Sequence, residues 1–235
     1  MFFGPILALL RSPQKFYNIF MKQFVIFDLD GTLLNSIGDL ASANNYALAK
    51  LGFPTHPTEA YYQFVCNGIM KLFERSLPPD ARTPENLQKM RELFVPYYNE
   101  HGCERSFPYE GITEVLKTLQ ARGIKMAVAS NKYHEGTEKL VRHFFPNIMF
   151  SSVCGQREGF PMKPDPLLVQ QIMQKAQVSP EHTLYVGDSG VDMQTAHNAG
   201  VDACAVLWGF RSREELSAFH PAYMISNPRA ILEII

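Results

Sequence analysis

Cysteine is scarce. Cys66, Cys103, Cys154 and Cys204 are widely spaced and form no CxxC pair. A disulfide framework is not expected in so long a chain with so little sulfur. The four thiols read as small buried hydrophobes in a reducing compartment, so the expected location is cytoplasmic. Seven histidines form no HxH or HxxxH pair, which argues against zinc. A charge excess is also missing: 22 Lys+Arg stand against 23 Asp+Glu, for a net charge of -1. With no long basic stretch, the sequence offers no electrostatic case for a nucleic-acid partner. Internal repeats and low-complexity segments are absent. The apolar run Phe2 to Leu10 is too short to cross a bilayer. It is followed, not preceded, by Arg11 and Lys15, and it lacks the small-residue cleavage site of a signal peptide. Residues 1–20 therefore read as an N-terminal extension ahead of Met21, with no membrane association expected.

Apolar material is plentiful, at 46% of the chain, enough for a sizeable core. It is arranged in short continuous runs: Phe24 to Asp28, Lys125 to Ser130, Ile148 to Val153, Thr183 to Asp188 and Ala203 to Trp208. Runs of this length suit strands buried on both faces. Helical spacing fills the gaps, as with Ile112, Val115, Leu116 and Leu119, or Leu167, Leu168, Ile172 and Ala176, or Met193, Ala196 and Ala199 before Gly200. Strand–helix alternation predicts an α/β fold with a parallel sheet. Between Asp28 and Lys125 the alternation fails. Ser36 and Asp39 read as a capping box opening a helix. A second helix is expected from Asn67 to Leu77, and a third from Thr83-Pro84 towards Gly102, with a kink at Pro96. Residues 35–105 are therefore predicted to be a helical domain inserted into a core of residues 21–34 and 106–235.

Polar residues of a particular kind collect at the C-terminal ends of the predicted strands, the edge where open α/β sheets bind ligands. Asp28 and Asp30, in FDLDGT, share one side of an extended chain. Two neighbouring carboxylates stay ionised only with a cation or extra donors nearby, and a hard cation such as Mg2+ suits them. Ser130, Asn131 and Lys132 end the second strand and could clamp phosphate, although a polar helix-capping turn explains them as well. Lys163 lies in the proline-stiffened PMKPDP and could neutralise phosphate charge or be an ordinary surface lysine. Asp188 and Asp192 lie in GDSGVD directly after a strand, the second at a helix start where a carboxylate is also a common cap.

Taken together, DLDGT, Ser130-Asn131-Lys132, Lys163-Pro164 and GDSGVD resemble the four motifs of the haloacid-dehalogenase superfamily in order and spacing. The resemblance runs from about Lys22 to the C-terminus. It implies a Rossmann-like parallel sheet core with an inserted helical cap domain. The segments Asn67-Gly68, Glu74-Arg75 with Leu77, PYEGI, KPDPLL and WGFRSREEL are similar to those of phosphoglycolate phosphatases and their near relatives. Two positions depart from that pattern: Asn35, where Asp is usual, and Cys66, where Gly is common. The resemblance implies a Mg2+-dependent phosphatase for a small phosphorylated metabolite, acting as monomer or homodimer. Asp28 would be the nucleophile and Asp30 the acid/base. Asp28, Asp30 (by its backbone carbonyl), Asp188 and Asp192 would hold the metal. Ser130, Asn131 and Lys163 would bind phosphate, and Asn67, Lys71 and Arg75 would be cap residues contacting substrate. The second carboxylate, Asp30, favours ester hydrolysis or phosphomutation over dehalogenation, because a dehalogenase has no leaving alcohol to protonate. Pyrophosphate, a nucleoside monophosphate or a sugar phosphate are the alternative substrates. A non-catalytic phosphate-sensing or partner-binding module would be expected to show a damaged motif, and none is damaged.

Overall fold

A computed structural model describes residues 21–235, so the expected N-terminal extension lies outside the described residues. The strands in chain order are β1 (Phe24–Phe27), β2 (Leu34–Asn35), β3 (Phe107–Pro108), β4 (Lys125–Tyr133), β5 (Ser152–Gln156), β6 (Thr183–Gly187), β7 (Asp202–Val206) and β8 (Tyr223–Ile225). Six of them form one parallel sheet in the order β5-β4-β1-β6-β7-β8. The apolar continuity of β1 has a direct cause. Val25 and Phe27 enter the core on one face and Phe24 and Ile26 the core on the other. A strand buried on both faces cannot alternate with polar residues.

The strand order reverses direction at β1. From there the chain builds outward through β4 and β5, then returns to build β6, β7 and β8 on the other side. Such a switch point opens a crevice at the carboxyl ends of the strands. Register aligns that edge, with Phe27 opposite both Val128 and Val186. The residues just beyond these positions therefore converge: Asp28, Ser130 and Asp188.

Helices Ile37–Lys50, Tyr61–Phe64, Ile69–Ser76 and Pro84–His101 follow β2. The last continues through Pro96 as one helix. Leu48, Tyr61, Phe73, Phe94 and Tyr98 pack between these helices and belong to the same buried cluster as one face of the sheet. Before and after them the chain runs through β2 and β3, which pair antiparallel as Leu34↔Pro108 and Asn35↔Phe107. Strands of two residues leave no readable period, so neither was predictable.

Several local expectations are corrected. Ser36 and Asp39 do not form a capping box. The Ser36 hydroxyl donates to Asp30, and the Asp39 carboxylate accepts from the Arg105 and Ser106 backbone N–H groups and from the Ser106 hydroxyl. Asp39 thus ties the first helix of the insert to the segment that leads out of it. Asn35 does accept from the Ile37 N–H, at 3.4 Å. The fifth strand begins at Ser152, because the stretch before it is loop in which Met149 is 77% exposed. β4 continues past Ser130 to Tyr133, with a register irregularity between Ala129 and Tyr133. Leu167 is exposed, and Val169 and Met173 join Ile172 and Ala176 on the buried face of its helix.

Candidate active site

Asp28 leaves β1 with its backbone N–H donating to Val186 O at 2.9 Å. Its carboxylate is buried, with Oδ1 2.9 Å from Lys163 Nζ. That lysine is itself buried and donates to Ala129 O at 3.0 Å, Tyr185 Oη at 3.0 Å and Asp192 Oδ1 at 2.7 Å. An ammonium has three protons. All three are directed elsewhere, so Asp28 Oδ1 receives charge attraction but no hydrogen bond. Burial pushes the Asp28 carboxyl up to about 7, opposed by Lys163 and assisted by Asp192 and Asp30. Lys163 shows the converse. Burial pulls it down, but Asp192 and Asp28 outweigh that and hold it well above its ordinary range.

Asn131 locks this lysine's loop. Its side chain accepts from Lys163 N at 2.9 Å and donates to Lys163 O at 3.1 Å. Ser130 is buried beside it, its Oγ accepting from Lys132 N at 3.2 Å. The polar run in the last part of β4 is therefore buried, and is not a solvent-facing helix cap.

Asp188 is fully buried. Its Oδ2 accepts from Phe210 N at 2.7 Å and its Oδ1 from Thr32 Oγ1 at 3.3 Å. Burial, then the Asp192 and Asp28 charges, raise its carboxyl well above the ordinary range. Two glycines let it approach the chain. A Cβ on Gly31 (φ +87°) would lie 2.2 Å from Asp188 Oδ2, and one on Gly209 would lie 2.2 Å from Asp188 Cβ. Gly31→Ala should therefore displace Asp188 and strain a left-handed residue. The expected result is a loss of at least about 2 kcal/mol in denaturant unfolding, with activity reduced more than 10-fold. Asp192 is part of a capping box with Ser189 at the start of helix Gly190–Ala199. Its other oxygen anchors Lys163. The capping reading and the site reading of Asp192 both describe its surroundings.

Asp28, Asp188 and Asp192 each present a carboxylate oxygen within 4.8 Å of the others. An all-oxygen cluster with one buried oxygen lacking a hydrogen bond fits a hard divalent cation such as Mg2+. Asp30 stands apart from this cluster. Its Oδ1 accepts from Ser36 Oγ at 2.5 Å and its Oδ2 lies 3.0 Å from Lys132 Nζ. The motif pattern placed Lys132 in a possible phosphate clamp but gave its ammonium no role of its own, because a lysine in a polar run carries no sign of where its ammonium ends.

A narrow cavity of about 40 Å³ lies over these groups. Its floor is Asp28, Asp30, Ser130, Asn131, Lys132 and Lys163, and its roof is Leu40, Val65, Cys66, Gly68, Ile69 and Leu72. Asn67, Lys71 and Arg75, expected at the substrate, do not line it. Lys71 pairs with Glu74 at the surface, at 2.6 Å. Arg75 donates to Phe64 O, Val65 O and the Asn67 side chain, satisfying the carbonyls that the short helix Tyr61–Phe64 leaves open. It shapes the roof from behind. Arg211, after β7, grips the same segment through Tyr62 O and Val65 O. Cys66 takes φ +84° in the roof, a conformation that suits the glycine common at this position in the family it resembles.

The haloacid dehalogenase-like hydrolase pattern matches residues 25–206. The chain belongs to this family. Among curated relatives, a phosphoglycolate phosphatase of Mannheimia succiniciproducens is 32% identical over 89% of this chain and 96% of its own length. One from Vibrio parahaemolyticus is 32% identical over 91% and 96%. The crystal structure of a predicted phosphoglycolate phosphatase from Haemophilus somnus superposes with a TM-score of 0.84 at 28% identity, covering 91% of this chain and 97% of that one.

Proposed function

We propose that this chain is a Mg2+-dependent phosphatase for small phosphate monoesters, with 2-phosphoglycolate as the leading substrate. The observation that carries this reading is the buried Asp28 oxygen left without a hydrogen bond, at the sheet's switch point, between carboxylates and a fully engaged lysine. The relatives' names support the choice of substrate. Residues 35–105 form the cap in this reading.

Asp28 attacks phosphorus through a carboxylate oxygen, and the ester oxygen departs with the bonding pair. Asp30 gives that oxygen its proton, releasing the alcohol. Asp30 then takes a proton from water, whose oxygen attacks the aspartyl-phosphate and regenerates Asp28 with release of inorganic phosphate. Ser130 and Lys163 face the phosphoryl oxygens, while Asn131 keeps Lys163 in place. A Mg2+ held by Asp28, Asp188, the Asp30 carbonyl and, through Asp192, a water or ligand would supply neutralisation of phosphoryl charge. The Val65–Leu72 roof excludes bulk water.

The test is hydrolysis of 4-nitrophenyl phosphate followed by a panel containing 2-phosphoglycolate, pyrophosphate, a nucleoside monophosphate and a sugar phosphate. Turnover should need Mg2+ and fall to background with EDTA. Mg2+ should also raise the melting temperature more at pH 8 than at pH 5.5, because protons compete for an Asp28 carboxyl raised to about 7. Full activity in EDTA would overturn the metal assignment. No phosphatase activity on any member would overturn the function. A cytoplasmic location is part of the same proposal. All four cysteines are free, and no helix among the described residues is long and apolar enough to cross a membrane.

A further inference from the structure

Two of the residues lining the cavity are cationic, and they are used differently. Lys163 directs all three of its protons into the scaffold. Among the described residues, Lys132 Nζ makes no such hydrogen bond. It lies 3.0 Å from Asp30 Oδ2 and 4.5 Å from the centre of the Tyr98 ring, whose face supports the ammonium from the helical insert. Its side chain is only 3% exposed, so its remaining donors face the cavity, not bulk water. The six residues that line the roof opposite carry no charge. A carboxylate on the leaving group would be buried there without a counter-ion unless Lys132 received it, at a cost that forbids tight binding.

We propose that Lys132 is the specificity-determining residue, receiving a carboxylate borne on the carbon next to the leaving oxygen. The favoured substrates are then phosphorylated 2-hydroxy acids, over alkyl phosphates that lack the acid. This rests on the phosphatase reading above, in which Asp30 meets the leaving oxygen. Because Lys132 Nζ lies 3.0 Å from Asp30 Oδ2, a carboxylate one carbon from that oxygen would fall within its reach. The bland alternative is that Lys132 only positions Asp30, in which case its loss would affect every substrate alike.

The experiment compares kcat/KM for 2-phosphoglycolate, ethyl phosphate and 4-nitrophenyl phosphate in the wild-type protein, Lys132→Met and Lys132→Arg. A charge-assisted contact predicts that the wild type prefers 2-phosphoglycolate to ethyl phosphate by about 10- to 100-fold. Lys132→Met should reduce that ratio to about one, chiefly through KM, and Lys132→Arg should retain most of it. Equal losses on all three substrates in Lys132→Met would overturn the inference and leave Lys132 as a positioning residue. If Lys132→Met fails to fold, Lys132→Gln and the wild-type ratio carry the test. A wild type that cleaves 4-nitrophenyl phosphate but shows no preference for the acid refutes the inference alone. Failure to cleave any of the three refutes the phosphatase reading with it.

Discussion

Asp28→Asn is expected to abolish turnover and to make the metal-free protein more stable at pH 8. Removing the proposed nucleophile should lower kcat on the order of 10⁴-fold or more, measured with 4-nitrophenyl phosphate in saturating Mg2+. The stability gain has a separate origin. Burial pushes this carboxyl from 3.8 up to about 7. A carboxyl whose folded pKa lies above its unfolded value binds more protons when folded, so it costs stability as pH rises from the lower value through the higher one. At pH 8 that cost is complete, and an amide does not incur it. Each kcal/mol recovered moves the melting temperature by about 2–4 °C in a chain of this size. The gain should shrink as pH falls from 7 and vanish near 4. A variant less stable than wild type at pH 8 without Mg2+ would contradict the electrostatic account, and one that still turns over would remove Asp28 as nucleophile.

Lys163→Met is expected to have the largest effect on folding. The ammonium neutralises two buried carboxylates and satisfies a carbonyl and a phenol besides. Deleting one partner of a buried ionic cluster costs about 3–5 kcal/mol. Urea unfolding at pH 8 should show that loss. It should be smaller at pH 5, where Asp28 can bind a proton in place of the missing charge. Any protein that folds should lose a further 10²–10³-fold in kcat, because a preorganised cation beside the phosphoryl group is gone. If Lys163→Met unfolds like wild type at pH 8, the ionic cluster is not what the geometry describes.

How much of this was legible in the sequence depended on whether neighbours in the chain or neighbours in space did the work. The sheet was readable because β1, β4 and β6 are buried on both faces and must be continuously apolar. The convergence of Asp28, Ser130, Lys163, Asp188 and Asp192 was readable because each lies near or beyond the carboxyl end of a strand, and parallel strands in register end together. Side chains that act across long separations were not. Lys132 reaches Asp30, Arg211 reaches the roof and Asp39 reaches Ser106. Nothing local distinguishes those residues from surface charges. The capping pattern at Ser36 and Asp39 misled for the same reason, since both side chains had better partners outside their own helix.

The pairing of β2 with β3 has a consequence for the molecule as a modular object. The chain leaves the sheet for the helical insert and returns from it through one shared two-residue seam. An insertion that enters and leaves at one place can be exchanged if the new segment also meets Arg211 and the apolar face of the sheet, much as a tool bit is exchanged in a fixed chuck. Grafting a foreign helical segment between Asn35 and Phe107 would leave Asp28, Asp188 and Lys163 supported by the sheet. It would remove Tyr98 from behind Lys132. Leaving-group choice can therefore diverge across such chimaeras while the step at phosphorus stays the same.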